Sequence, residues 1–193
     1  MDNVDCAKEK IRAVIAGSLV PEDPAHADNT LEWLLRLDAD AGEALQLAAL
    51  AHDIDRAVEE TKVKRADFDD YDVFKAAHAL HGAELLRSIL TDCDVAYDIE
   101  NEACRLVVVH EVGGDVDADL LKDADSISYF DVNLPLYYQR EGWQETLRRS
   151  LWGYSRLSTR AQVIVKAIDY QQRDLTSLMT AVIDRADKNS SCG

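Results

Sequence analysis

An apolar residue returns every three or four positions along almost the whole chain, the spacing an α-helix needs to bury one face. Val4, Ala7, Ile11, Val14 and Ile15 mark a first helix that stops near Gly17 and Pro21. Asp23 reads as an N-cap with Pro24 at the first helical position, and Leu31, Leu34, Leu35 and Leu37 follow. Asp40 and Glu43 have capping-box spacing and open a third helix through Leu45, Ala48, Ala49 and His52. The polar run Glu59–Arg65 predicts an exposed loop or lid. Further helices are expected over about 70–90, over about 98–111 with Gly113 and Gly114 as its C-cap, and over about 117–130. Pro135 interrupts the chain, and helices over about 137–152 and 158–187 complete it. In the last, Ile164, Ile168, Leu175, Leu178 and Val182 form a stripe that packs on the body. With only 8 Gly and 3 Pro, the turns of a many-stranded sandwich or barrel are missing. The expectation is one all-α domain over residues 1–193.

Charge narrows the partners. The chain has 37 acidic against 21 basic residues, a net charge of -16. Such a field repels a nucleic-acid backbone and an anionic membrane, so neither is expected as a main partner. A phosphorylated substrate would need cations recruited locally. Met1-Asp2-Asn3-Val4-Asp5 lacks the basic and apolar regions of a signal peptide, and no apolar run approaches the roughly 20 residues that span a bilayer. Cys6, Cys93, Cys104 and Cys192 form no CxxC pair and read as incidental reduced thiols in a cytoplasmic protein. Trp33, Trp143 and Trp152 read as core anchors. No heptad repeat points to a coiled coil, and a helical face is left with which to form a homodimer.

The chemistry-bearing residues are the histidines. His52 follows Leu45 by seven and Ala48 by four; His110 follows Ala103 and Leu106 in the same way. His78 lies in an Ala-rich segment, and His26 in the first turn of its helix. Positions three or four apart share a helix face, so these rings point inward. One buried imidazole is ordinarily a satisfied core residue. Four of them, with Asp53 beside His52 and Asp125 on an apolar face, suit a divalent transition metal held by imidazole and carboxylate.

At these residues the chain resembles the HD-domain superfamily of metal-dependent phosphohydrolases. His26, then Ala51-His52-Asp53-Ile54-Asp55-Arg56, then Asp125 in Lys122-Asp123-Ala124-Asp125-Ser126, resemble its H…HD…D signature. His78-Ala79-Leu80-His81-Gly82-Ala83-Glu84-Leu85-Leu86 is similar to the HxxxGAELL segment of HD-GYP-type members, and Val109-His110-Glu111 to their next histidine motif. The resemblance covers roughly residues 20–165 and implies an all-α HD-domain helical bundle. It implies that His26, His52, Asp53 and Asp125 hold one metal. His78 and His110 join them where Asp53 bridges two metals, and face the substrate phosphate in mononuclear members. Asp123 is the rival of Asp125. The metal it implies is Mn, Fe, Mg, Ni or Co, one or two per chain. Val112-Gly113-Gly114-Asp115 stands where GYP would follow, and there is no HDxxED, so cyclic-di-GMP and (p)ppGpp are disfavoured as substrates.

The expected reaction is hydrolysis of a phosphate ester of a small substrate, in first place a nucleotide, by metal-activated water. Asp53 would orient or deprotonate that water. Arg56, one turn on, and Lys75, three before His78, are the cations expected to meet the phosphate and to act in catalysis. Lys62, Lys64 and Arg65 form either a further basic cluster or a solvated loop. His81 is a candidate substrate contact or general acid, and otherwise a supporting or surface histidine. Two other readings compete: an HD-domain di-iron oxygenase, which uses four His and two Asp, and a non-catalytic nucleotide-binding HD domain.

Overall fold

The structure is a computed structural model whose described residues run from 2 to 190, with side chains through Lys188. Every described element is helical. They are α1 (Asn3–Ile15), α2 (Asp23–Leu37), α3 (Glu43–Ala51), α4 (Tyr71–Asp92), α5 (Tyr97–Val109), α6 (Val116–Ser128), α7 (Leu134–Arg156), α8 (Thr159–Lys166) and α9 (Arg173–Ser190). Short 3-10 turns at Ile54–Ala57 and Arg65–Asp67 lie between α3 and α4, and a π-type turn, Tyr129–Asn133, leads into α7. The all-α expectation therefore holds. No described helix is long and apolar enough to cross a membrane.

The chain divides into two compact units, Met1–Ala124 and Asp125–Gly193, with α6 continuous through the division. In the first unit α3 is the centre. Its sequence is apolar on every side, so it can be stable only where neighbours surround it. α1, α2 and α5 all pack on it, and Leu47, Ala48, Ala49, Leu50 and Ala51 have no exposed surface. α4 lies along α5 and adds Leu86 and Leu90, both fully buried. Each such side chain contributes roughly 1.5–3 kcal/mol relative to exposure. In the second unit α7 packs on α9, with Phe130, Leu147, Tyr154, Leu178 and Val182 inside.

Local signals are partly overruled. Glu22, not Asp23, is the N-cap of α2; Asp23 is already helical, buried, and bonded by the Ser18 hydroxyl at 2.6 Å. Gly42 precedes α3, and Asp40 does not cap it. Asp70 does cap α4, accepting from the amides of Asp72 and Val73 at 2.7 and 3.0 Å. Past α5, Gly113 has φ 77 and its amide reaches the Val109 carbonyl at 2.8 Å. That φ lies in the left-handed region, where a side chain at this position would be strained, so glycine is favoured.

Pro135 does not interrupt the chain but sits in the first turn of α7, where a missing amide proton costs nothing. The break in that stretch comes at Gly142, φ 73. The helix expected over 158–187 is two helices, α8 and α9. Tyr170 lies between them and donates its hydroxyl to the Phe130 carbonyl at 2.6 Å, a contact to a residue far back in the sequence. Trp33, Trp143 and Trp152 are half-buried, and the fully buried aromatic side chains are instead Phe130 and Tyr154.

The expectation of unpaired thiols is corrected for two cysteines. α1 packs on α4, and this brings Cys6 to Cys93, 87 positions away, as a disulfide with Cα atoms 6.0 Å apart. Cys104 is buried and free, and Cys192 lies outside the described residues. A cross-link closing so long a loop restricts the unfolded chain strongly. Cys6→Ser is expected to lower unfolding free energy by about 2–4 kcal/mol in denaturant titration. Reductant should lower the wild type similarly and leave the variant's midpoint unmoved.

Candidate metal centre

Four imidazoles of the first unit gather around one carboxylate. α3 ends at Ala51, so His52 is its C-cap, and Asp53 follows in the bridge region at φ -107, ψ 16. That turn carries the chain into Ile54–Ala57 and directs Asp53 toward α2 and α4. His26 comes from α2, His78 and His81 from α4, and His110 is the C-cap of α5. His26, His52, His78 and His110 are all buried.

The rings are held in a defined tautomer. The Nδ1 of His52 lies 2.9 Å from the Ala49 carbonyl, and that of His110 lies 2.6 Å from the Val107 carbonyl. A carbonyl only accepts, so Nδ1 carries the proton in both and Nε2 carries the lone pair. Both histidines thus use the end of their own helix to fix the ring, bonding back three residues.

The Nε2 atoms of His26 and His52 are 3.1 Å apart. They lie 3.8 and 3.5 Å from Oδ2 of Asp53, whose Oδ1 lies 3.0 Å from Nε2 of His78. Donor atoms of Asp53, His78 and His110 all lie within 4.8 Å of one another, which is a spacing that can hold a metal ion. Nitrogen and carboxylate donors in a buried setting fit a divalent transition metal.

Sequence reasoning missed Asp55. It stands two residues past Asp53, fully buried, and the reading of the motif used only its first carboxylate. Its Oδ2 receives Nδ1 of His78 at 2.7 Å, its Oδ1 is bonded by His81 Nδ1, and the Val63 amide donates to Oδ1 at 3.2 Å. The carboxylate fixes the His78 ring so that Nε2 faces Asp53, the arrangement that orients a metal-binding histidine. His81 is therefore a partner of Asp55, 22 % exposed, rather than a fifth ring on the cluster. The signal was a second Asp on the turn beside a known one.

Arg56 meets the sequence expectation of nearness. Its guanidinium lies 2.9 Å from Asp53 Oδ2 and 3.7 Å from buried Asp23, a second carboxylate the sequence reading did not single out. Lys75 lies 3.4 Å from Asp72 and 3.7 Å from Glu111, over the Tyr71 ring. Of the basic loop, Lys62 pairs with Glu59 and Arg65 donates to the Phe68 carbonyl. Asp123 is buried on α6 in the first unit, and Asp125 is the half-buried first residue of the second.

The electrostatics follow from these contacts. Burial pushes the Asp53 carboxyl upward, but Arg56, His52 and the His78 hydrogen bond outweigh it and hold it well below the usual carboxylate range. Burial likewise raises Asp55, and its bonds from His78 and His81 overcome that and lower it. For His78 burial disfavours the charged ring, yet the bonds to Asp53 and Asp55 raise it to about 9. Asp23 stays raised by burial in spite of Arg56.

A metal must displace the proton on His78, so metal affinity should climb as pH rises toward about 9 and level off above it. Calorimetry of manganese binding in buffers of different ionisation enthalpy should show proton release at pH 7.5. Asp55→Asn should weaken manganese binding by roughly 10–100-fold and leave helical circular dichroism unchanged. Metal-free protein has the opposite linkage. The raised His78 contributes stability that is complete below its ordinary 6.5 and is lost as pH rises through about 9. The lowered Asp53 and Asp55 contribute stability above the ordinary carboxylate range, lost as pH falls through their lowered values. Denaturant midpoints of chelator-treated protein should therefore fall between pH 7 and 9.5, and fall again in acid.

No curated protein and no solved structure matches the chain. A family model, described as a domain of unknown function (DUF4202), matches residues 2–178, a span that holds every histidine and aspartate of the cluster. The chain therefore belongs to the DUF4202 family of domains of unknown function.

Proposed function

We propose that this protein is a metal-dependent phosphohydrolase of the HD-domain type, cleaving a phosphate ester of a small substrate, in first place a nucleotide. The observation that carries the reading is Asp53, a half-buried carboxylate whose two oxygens face different histidines and whose charge is held by Arg56. A divalent metal bound there supplies a Lewis acid and lowers the pKa of its water toward neutrality.

The residues of the chain have distinct tasks in this reading. His26, His52, His78 and His110 would hold the metal through imidazole nitrogen and Asp53 through carboxylate oxygen; Asp125 joins them on the strength of the resemblance. Asp53 stays ionised because Arg56 and the rings stabilise its charge, so its oxygens can accept a hydrogen bond from the attacking water and orient it. Arg56, 38 % exposed on its side chain, can still present guanidinium edges to a phosphate oxygen. Lys75, 14 % exposed, reaches the same end of α4 as His78 and adds positive charge for the phosphate. His81 sits on Asp55 and is the residue from which a leaving oxygen could take a proton. The acidity of the chain favours a small, metal-chelated substrate over a polymer.

The convergence of Asp53, His78 and His110 favours a second reading, the di-iron oxygenase. Metal content separates the two. Exchangeable manganese or magnesium with phosphate release from a nucleotide panel is the expected result; two tightly held irons per chain with oxygen consumption would replace the hydrolase by the oxygenase. Nucleotide binding without turnover in any metal would leave only the non-catalytic reading. His52→Ala and Asp53→Ala should each cut phosphate release at least 100-fold and abolish tight metal binding, with helical content retained. A double variant that hydrolyses at the wild-type rate would remove this site from the reaction.

A further inference from the structure

Charge is divided unevenly along the chain. The first unit has 29 acidic against 12 basic residues, the second 8 against 9. The net acidity that argues against anionic partners thus belongs to the first unit, and the second is close to neutral. The second unit holds a cavity of about 660 Å³, and two of its basic residues, Arg185 and Lys188, line it. Leu151, Trp152, Tyr154, Gln162, Arg185 and Lys188 are among its lining residues.

The lining has two characters. Leu151, Ala186 and the Trp152 ring give it an apolar wall. Arg185 and Lys188, exposed on α9, give it cations. The guanidinium carbons of Arg149 and Arg156 lie 4.6 and 4.3 Å from the Trp152 ring centroid, so two more cations are stacked on that wall. The carboxylate among the described lining residues, Asp187, lies 3.6 Å from Lys166, which offsets its charge. The volume falls in the range of roughly 300–1,000 Å³ that small-molecule sites occupy.

We infer that this cavity binds a nucleotide-sized organic phosphate, with its phosphate toward Arg185 and Lys188 and its apolar body against Trp152 and Leu151. The inference does not depend on the metal centre, since its residues all belong to the second unit. It is tested by calorimetric titration of the full-length protein with ADP, pyrophosphate and adenosine. The titrations are run in chelator and repeated in the His52→Ala/Asp53→Ala background, so that binding at the metal centre does not contribute. ADP is expected to bind, pyrophosphate more weakly and adenosine not measurably. Arg185→Ala should weaken ADP about tenfold and Arg185→Ala/Lys188→Ala about a hundredfold, the scale of lost charge-assisted phosphate contacts. Arg173→Ala, exposed on α9 outside the lining, should leave ADP binding unchanged and shows that general surface charge is not the cause. Absence of ADP binding up to 1 mM, adenosine or pyrophosphate binding as tight as ADP, or a double variant that binds like the wild type would each overturn the inference.

Discussion

The Asp53 carboxylate is the constraint on which the first unit depends. A buried charge is costly unless partners meet it, and here they come from four parts of the chain: His26 from α2, His52 from the end of α3, Arg56 from the following turn, and His78 from α4. The contacts from His26 and His78 form only when α2 and α4 are in place, and an unmet charge at this point would oppose their packing. The polar cluster and the apolar core around α3 are thus satisfied by the same arrangement.

Asp55 makes the cluster more than a set of convergent rings. It binds His78 on the side away from Asp53 and takes His81 and the Val63 amide as well, which fastens the loop after the short turn to α4. His52 and His110 reach the same end differently, each bonding through Nδ1 to a carbonyl in the last turn of its own helix. For His52 and His110 the helix end fixes one tautomer, and for His78 the Asp55 carboxylate fixes the ring so that Nε2 faces Asp53.

The second unit follows another logic. Its helices are anchored by contacts such as Tyr170 to the Phe130 carbonyl, and its basic residues offset its acids. An averaged charge for the whole chain conceals this difference between the two units.

Helix content, the inward placement of His26, His52, His78 and His110, and the stop at Gly113 were legible in the sequence because each is a local matter. A helix face repeats every three or four residues, and glycine is favoured wherever φ turns positive. What only the tertiary structure decided involves residues far apart in the chain. Cys6 meets Cys93 because α1 lies on α4. Asp55 meets His78 because the turn after α3 packs on α4. The expected final helix is divided, and Tyr170 in the break bonds to the Phe130 carbonyl, forty positions earlier. Asp40 and Asp23, good caps by local rule, lose that role to Gly42 and Glu22. Spacing determines which side chains point inward, but only the packing of helices against one another determines which of them meet, since such contacts join surfaces that no local pattern encodes.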